Sequence, residues 1–184
     1  MSLYDFLRKT ILPLDEIDEY LPQKGLIFDL GCGEGVIAKY IAKNKKRIVI
    51  GIDNDLKRLP IENEVNLIFL KKDITKSNIP KANGYVLSDV LHHLKISDQK
   101  KLIKKAHSSL RANGILLIKE IDTKEFTRSK LSRLWDYLLY PKDKIYYWNS
   151  KALITYLNSL GFKVRMERSA RLFPGSTNLF IAQK

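Results

Sequence analysis

The sequence predicts an α/β fold, a three-layer sandwich in which helices cover both faces of a mostly parallel β-sheet. Between residues 25 and 122, short apolar runs alternate with segments of helical spacing. The apolar runs are mostly unbroken stretches of Val, Ile and Leu, which are typical of strands buried on both faces. Repeated strand–helix units build an open parallel sheet. The 184 residues suit a single domain of this kind.

The first elements surround a run of glycines. Residues 1–24 are expected to form an N-terminal helical cap, with Pro13 interrupting the helical region and Pro22 following it. The first strand is predicted at 26–30. A helix is predicted at 36–43, because its apolar residues fall on one side.

The middle of the chain continues the alternation. Strands are predicted at 48–52, 65–70, 85–87 and 115–118. The helix before the last of these strands spans 97–110, with Ser97 as its N-cap and Asn113-Gly114 as its stop.

The end of the chain predicts one more helix and two strands. The helix begins at Ser150 and stops at Gly161. The strands, at 162–167 and 179–182, flank a Pro174-Gly175 turn, so they are expected to be antiparallel neighbours.

The glycine-rich turn, DLGCGEG at 29–35, joins the first strand to the helix after it. Glycines allow a tight turn and the close approach of a ligand, and the helix N-terminus offers free N–H groups. The spacing is G-x-G-x-G, and Val36 stands where the dinucleotide fingerprint needs a small residue. Asp53 ends the next strand, where a carboxylate can accept both ribose hydroxyls of an adenosine. Together these features predict a nucleoside ligand.

Several segments resemble the class I S-adenosylmethionine-dependent methyltransferases, the Rossmann-like superfamily, in its small-molecule type. The matching segments are DLGCGEG (29–35), GID (51–53), KKDI (71–74), SDVLHHL (88–94) and LRANGILLIKEID (110–122). The resemblance implies a seven-stranded sheet of order 3-2-1-4-5-7-6 in which strand 7 is antiparallel. It also implies S-adenosylmethionine as the cofactor.

The resemblance assigns cofactor roles residue by residue. Gly31, Cys32, Gly33 and Gly35 belong to the turn beneath the methionine part, and Asp29 holds the amino group. Asp53 holds the ribose, Asp73 receives the adenine amino group, Ile52 and Ile74 pack on the adenine ring, and Ser88 touches the methionine end. The alternative for Asp73 is a surface carboxylate paired with Lys71 or Lys72.

Catalytic and substrate roles are less defined. His92 or His93, just past the fourth strand, is expected to deprotonate a hydroxyl or amine acceptor, the alternative being a packing or cofactor-side role. Asp89 and Glu120 also lie at strand ends and are candidate substrate contacts. Residues 123–148 are expected to form a lid-like insertion, the alternative being a fixed amphipathic helical cap. Tyr146, Tyr147 and Trp148 in this segment are candidates for contact with a planar or apolar acceptor, the alternative being that the aromatic residues pack the segment onto the domain.

Other chemistries are disfavoured. No metal-ligand cluster is apparent, so metal-independent transfer is predicted. Cys32 lies far along the chain from the fourth strand, where methylation of pyrimidine carbon-5 needs its nucleophile. Residues 88–91 lack the Asn/Asp-Pro-Pro-aromatic motif of base-amine methyltransferases.

The sequence leaves two function hypotheses. The favoured one is methyl transfer to a small molecule that is anionic or amphipathic. The alternative is an RNA-associated or non-catalytic methyltransferase-like module, since 33 basic against 20 acidic residues give a net charge of +13. No apolar run is long enough to span a membrane and no signal peptide is apparent, so a cytoplasmic protein is predicted. The oligomeric state is left open.

Overall fold

A seven-stranded sheet forms the centre of the protein. The computed structural model describes residues 12–61, 63–121, 145–168 and 177–184. The strands, in chain order, are β1 (Gly25–Leu30), β2 (Arg47–Asp53), β3 (Leu67–Lys71), β4 (Ala82–Ser88), β5 (Leu110–Ile121), β6 (Lys163–Arg168) and β7 (Thr177–Gln183). Their order across the sheet is β3-β2-β1-β4-β5-β7-β6. The predicted fold class and strand order are confirmed.

Strands β1 to β5 run parallel, and β7 is antiparallel to both β5 and β6. The predicted antiparallel pairing of the two closing strands is therefore confirmed. Because β1 to β5 are parallel, the turns that follow them all lie at one edge of the sheet, the edge at which open α/β folds bind ligands.

Four α-helices are described: α1 (Leu14–Tyr20), α2 (Val36–Ile41), α3 (Ile96–Ser109) and α4 (Ser150–Ser159). A 3-10 turn, Leu91–His93, precedes α3. One apolar core packs α3 and α4 on the sheet and includes Phe28, Tyr85, Leu102, Ile118 and Leu153. The other packs α1 and α2 on the opposite face and includes Ile17, Ile37, Val49, Leu117 and Leu179.

Two predicted boundaries of α3 are wrong. Lys95 is the N-cap and no side chain caps the helix, so Ser97 lies inside the first turn. The helix ends at Ser109, because Leu110 already has extended backbone and begins β5. Asn113-Gly114 therefore lies inside β5, beside the register shift of β4 between Ala82 and Gly84. A strand irregularity uses the same residue types as a helix stop, which explains the error.

The boundaries of the other helices follow the prediction more closely. Helix α1 begins after Pro13, which occupies its N-cap position. Helix α4 begins at Ser150, but its cap is Asn149, whose side chain accepts the Lys151 N–H at 2.9 Å. Gly161 follows α4 with a φ of 94°, as expected of a helix stop. Most of the 123–148 insertion and the Pro174-Gly175 turn lie outside the described residues.

Candidate active site

The glycine turn after β1 requires glycine for steric reasons. Gly31 and Gly35 have φ angles of 79° and 72°, in the left-handed region. A Cβ on Gly31 would lie 2.5 Å from the Val90 side chain, and a Cβ on Gly35 would lie 2.5 Å from the Phe69 ring. The turn therefore packs closely against both β3 and the segment after β4.

Asp53 ties the end of β2 to this turn. Its carboxylate accepts the Gly33 N–H at 2.8 Å and the Asp55 N–H at 2.9 Å, and the residue is 7% exposed. The turn is also held by the Ile52 carbonyl, which accepts the Gly31 N–H at 2.7 Å and the Cys32 N–H at 3.0 Å. Each carboxylate oxygen of Asp53 has a second lone pair with which it can accept a ligand hydroxyl.

Asp29 and Cys32 are buried beside the turn. The Asp29 carboxylate accepts the Ala38 N–H of α2 at 3.2 Å, so it connects β1 to the helix. Burial, with the nearby charges of Asp29 and Asp53, raises the pKa of the Cys32 thiol far above its usual range. The thiol therefore stays protonated at neutral pH and is a poor nucleophile.

Asp73 begins the turn after β3. Its carboxylate accepts the Thr75 hydroxyl at 2.6 Å and the Thr75 N–H at 2.9 Å, and the hydroxyl bond lowers the pKa of Asp73. The Lys76 ammonium lies 3.4 Å away. Lys76 is thus the ion-pair partner that the structure shows for Asp73, in place of the alternative partners Lys71 and Lys72. Thr75 and Lys76 thus already occupy part of the Asp73 carboxylate, the group that the sequence predicts to receive the adenine amino group.

A lysine that the sequence analysis missed supports this turn. Lys105 of α3 donates to three carbonyls, those of Ile74 at 3.4 Å, Thr75 at 3.3 Å and Ser77 at 2.6 Å. Ile74 and Ile52 are buried in the same apolar core. The Lys72 N–H donates to the Asp53 carbonyl at 2.9 Å, which joins the ends of β2 and β3. The predicted ribose and adenine residues are therefore brought together.

The end of β4 carries Ser88 and Asp89. Ser88 is buried, and its hydroxyl lies 3.3 Å from the Asp89 carboxylate. Both oxygens of that carboxylate lie 2.7 Å from the ammonium of Lys119, a residue of β5 that the sequence analysis did not select. A lysine inside the apolar run GILLIKEI was the signal that could have identified it.

His92 and Glu120 form a buried dyad. The Nδ1 atom of His92 lies 2.7 Å from Oε2 of Glu120, while Oε1 of Glu120 accepts the Leu91 N–H at 2.9 Å. His92 is 2% exposed, and its ring stacks on Tyr147 with 5.5 Å between the ring centres. The His93 ring lies beside it, with 4.3 Å between centres. Of the two histidines, His92 is the one bonded to the strand-end carboxylate.

The three aromatic residues at 146–148 do not share one environment. The Tyr146 N–H donates to the His92 carbonyl at 2.8 Å, and Gln99 of α3 donates to the Tyr146 carbonyl at 2.8 Å. Tyr147 faces His92. Trp148 instead stacks on Tyr156 of α4 with 5.7 Å between ring centres, and the Lys100 ammonium of α3 lies 5.7 Å from the centre of the Trp148 ring.

None of the helices in the described parts of the chain has the length and apolar character needed to cross a membrane. The same residues contain no group of three or more His, Cys, Asp or Glu side chains that could hold a metal ion.

The comparisons with known proteins identify the family of this chain. A family model described as a methyltransferase domain matches residues 5–167. Carboxy-S-adenosyl-L-methionine synthase of Nautilia profundicola is 26% identical over 136 residues, which are 68% of this chain and 58% of that protein. The protein of the same name from Helicobacter pylori is 32% identical over 113 residues, 56% of this chain and 46% of its own. The chain spans about half the length of these curated relatives.

Solved structures show the same fold. An S-adenosylmethionine-dependent methyltransferase from Archaeoglobus fulgidus has a TM-score of 0.74 at 16% identity, with 100% of both chains covered. Magnesium protoporphyrin IX methyltransferase from Synechocystis, solved with bound S-adenosylhomocysteine, has a TM-score of 0.73 at 20% identity, covering 97% of this chain and 87% of its own. Given the family match over 5–167 and the strand order of the sheet, the chain belongs to the class I S-adenosylmethionine-dependent methyltransferases.

Proposed function

We propose that this protein transfers the methyl group of S-adenosylmethionine to a small-molecule acceptor, and that His92 takes the proton from the acceptor. The observation that carries the proposal is the 2.7 Å contact between His92 Nδ1 and Glu120 at the carboxyl edge of the sheet. A carboxylate at Nδ1 orients the ring and favours one tautomer, and we assign Nε2 as the atom that receives the proton of the acceptor.

The residues around the glycine turn fit the cofactor. Side chains at Gly31 and Gly35 would collide with Val90 and Phe69, so glycine keeps this turn in its close-packed form. We assign the backbone of the turn to the methionine part of the cofactor. We assign the ribose hydroxyls to the Asp53 carboxylate, which is fixed by two backbone N–H groups and retains free lone pairs. We assign the adenine ring to the surface of Ile52 and Ile74, and its amino group to Asp73.

The chain's own part in the reaction is to orient and to exclude water. The bound cofactor supplies a methyl group that is already activated by the sulfonium, so alignment of the acceptor is the main requirement. The base is held on three sides: Glu120 at Nδ1, Tyr147 on one ring face, and His93 nearby. This support keeps His92 in one rotamer, as a preorganised catalytic group requires.

We further propose an anionic or amphipathic acceptor. The formal net charge of +13 raises the local concentration of anions. Tyr147, beside His92, offers an aromatic surface that an apolar part of the acceptor can contact.

The test is a transfer screen with methyl-labelled cofactor over metabolite pools and RNA. Label should enter a small molecule with release of S-adenosylhomocysteine. With that acceptor, His92→Gln should lower kcat by about 10²–10⁴-fold while cofactor affinity is kept. The matched control is His107→Gln. His107 lies on α3, apart from this site, and its ring packs edge-on against Phe162. An undiminished kcat in His92→Gln would remove His92 as the base.

A second candidate comes from the relatives. Their name, carboxy-S-adenosyl-L-methionine synthase, describes an enzyme whose product is a carboxylated form of the cofactor. Mass spectrometry of the nucleoside products separates the two candidates. S-adenosylhomocysteine as the product supports methyl transfer, whereas a carboxylated S-adenosylmethionine supports the activity of the relatives. Label in RNA would instead support an RNA acceptor.

A further inference from the structure

A buried lysine lies one residue before the dyad's carboxylate. Successive side chains of a strand point to opposite faces, so Lys119 and Glu120 leave β5 on opposite sides of the sheet. Glu120 bonds His92, and Lys119 lies on the face of the α1–α2 core with its side chain 5% exposed. A buried ammonium is costly unless it is paired and hydrogen-bonded, so its partner identifies what it does.

That partner is Asp89, the first residue after β4. The Lys119 ammonium lies 2.7 Å from both carboxylate oxygens of Asp89, and the Asp89 N–H donates to the Lys119 carbonyl at 3.1 Å. Asp89 has a φ of 56°, in the left-handed region that non-glycine residues seldom adopt. Side chain and backbone of Lys119 thus both hold Asp89 in a strained conformation.

This conformation sets the path of the next residue. Val90 follows Asp89, and its side chain occupies the space beside Gly31, where a Cβ on the glycine would lie 2.5 Å away. Lys119, Asp89 and Val90 therefore connect β5 to the glycine turn, directly after Ser88 at the end of β4. The distance between the glycine turn and the turn after β4 is fixed by this chain of contacts.

We propose that Lys119 and Asp89 are a positioning pair that holds the turn after β4 against the glycine turn and thereby shapes the methionine end of the cofactor pocket. The inference rests on the proposed placement of the cofactor. The adenosine end depends on other contacts, those of Asp53 with Gly33 and of Lys105 with the turn after Asp73. Removing the pair should therefore weaken binding of the methionine end of the cofactor and leave binding of its adenosine end unchanged.

The experiment compares two ligands that share the adenosine. S-adenosylhomocysteine carries the amino-acid part, and 5′-methylthioadenosine lacks it. Calorimetric titration of Lys119→Met and Asp89→Asn should show affinity for S-adenosylhomocysteine reduced about tenfold or more, with affinity for 5′-methylthioadenosine kept within about twofold. Asp89→Gly keeps the left-handed backbone accessible and loses only the carboxylate, so the same selective loss is expected.

Controls separate positioning from general destabilisation. Lys105→Met removes another lysine that holds a turn, but at the adenine end, so it should weaken both ligands alike. The double variant Lys119→Met/Asp89→Asn should lose no more affinity than either single variant, because the two residues act as a unit.

Equal loss for both ligands, or no loss for either, in the Asp89 variants would overturn the inference. These variants keep the test decisive if Lys119→Met fails to fold, because Asp89 is partly exposed. If the wild-type protein bound neither ligand, the proposed placement of the cofactor would fail first, and the positioning role with it.

Discussion

Among single residues, Asp53 offers the most direct test of where the cofactor binds. Asp53→Ala removes the carboxylate that we propose accepts two ribose hydroxyls, and hydrogen bonds to charged groups contribute roughly 1.5–3 kcal/mol each. S-adenosylhomocysteine affinity, measured by calorimetry, should fall about tenfold or more. The control is Asp55→Ala, two residues on, whose carboxylate accepts the Lys57 N–H. Equal affinities for the two variants would exclude Asp53 from the site.

Arg47 is the residue on which attachment of the N-terminal helix depends. It is fully buried, pairs with the Asp18 side chain, and donates to the carbonyls of Pro22 at 2.8 Å and Asp18 at 3.1 Å. Arg47→Met leaves these partly buried acceptors without a donor and the partly exposed Asp18 carboxylate without its partner, so it should lower the free energy of unfolding by about 2–3 kcal/mol.

Urea denaturation measures this loss for Arg47→Met. Lys45→Met is the control, because Lys45 forms an exposed ion pair with Glu64 and should cost less than about 1 kcal/mol. Similar unfolding midpoints for the two variants would show that Arg47 does not stabilise the attachment of the N-terminal helix.

The Cys32 thiol should be unreactive in the native protein. Burial and the carboxylates of Asp29 and Asp53 raise its pKa, so at neutral pH less thiolate is present than for an ordinary cysteine. The pKa of the Cys32 thiol is higher in the folded protein than in the unfolded chain. Alkylation of the native thiol should therefore stay slow through neutral pH. A native labelling rate with iodoacetamide about tenfold or more below that of the urea-unfolded chain is expected. Equal rates would show that the turn exposes the thiolate.

At the scale of elements, the sequence predicted strands better than helix ends. The apolar run Ile48–Ile52 predicted β2 within two residues, although the strand is not buried along its whole length, since Ile48 is 52% exposed. Helix-end signals such as Ser97 and Asn113-Gly114 have several explanations. Ser also occurs inside helices, and Asn-Gly fits a bulge as well as a helix stop. Local residue types alone could not separate these cases, because the register between β4 and β5 decides them.

Gln99 of α3 holds the segment before α4, residues 145–149, next to the site through hydrogen bonds. Its amide donates to the carbonyls of Leu94 and Tyr146, both at 2.8 Å, and the Tyr146 N–H donates to the His92 carbonyl. Gln99→Ala should release this segment, so the Tyr146 amide should exchange its hydrogen faster than in the wild type. Hydrogen exchange measures this.

Exchange of the Ile103 amide, in the buried middle of α3, serves as the internal control for Gln99→Ala, and it should be unchanged. Equal acceleration at Ile103 would mean that the whole helix has loosened, and unchanged exchange at Tyr146 would mean that Gln99 does not hold the segment.

At the scale of the whole molecule, parallel strands bring distant motifs to one edge. The glycine turn, Asp53, Asp73 and His92 lie at the ends of four different strands, and their convergence could be predicted because each follows an apolar run. Lys119 and Lys105 could not be predicted in the same way. Their partners, Asp89 and the carbonyls after Asp73, are about 30 residues away, and only the folded register brings them together.

The net charge of +13 predicts a specific behaviour toward nucleic acid. If the acceptor is a small molecule, binding to single-stranded RNA should be weak, independent of sequence and largely lost by about 0.2 M salt, because it rests on counterion release. Filter binding across a salt series measures this. Tight binding that survives high salt and prefers one sequence would favour the RNA-associated alternative over a small-molecule acceptor.

The central claim is that the cofactor lies across the carboxyl edge of the sheet, from the glycine turn to Asp73. A crystal structure of the complex with S-adenosylhomocysteine tests it most directly. We expect ribose hydroxyls within hydrogen-bond distance of the Asp53 carboxylate, the adenine ring against Ile52 and Ile74, and the amino-acid part between the glycine turn and Ser88. Ligand bound elsewhere, or in this cleft with its ribose away from Asp53, would show that the cofactor is placed wrongly.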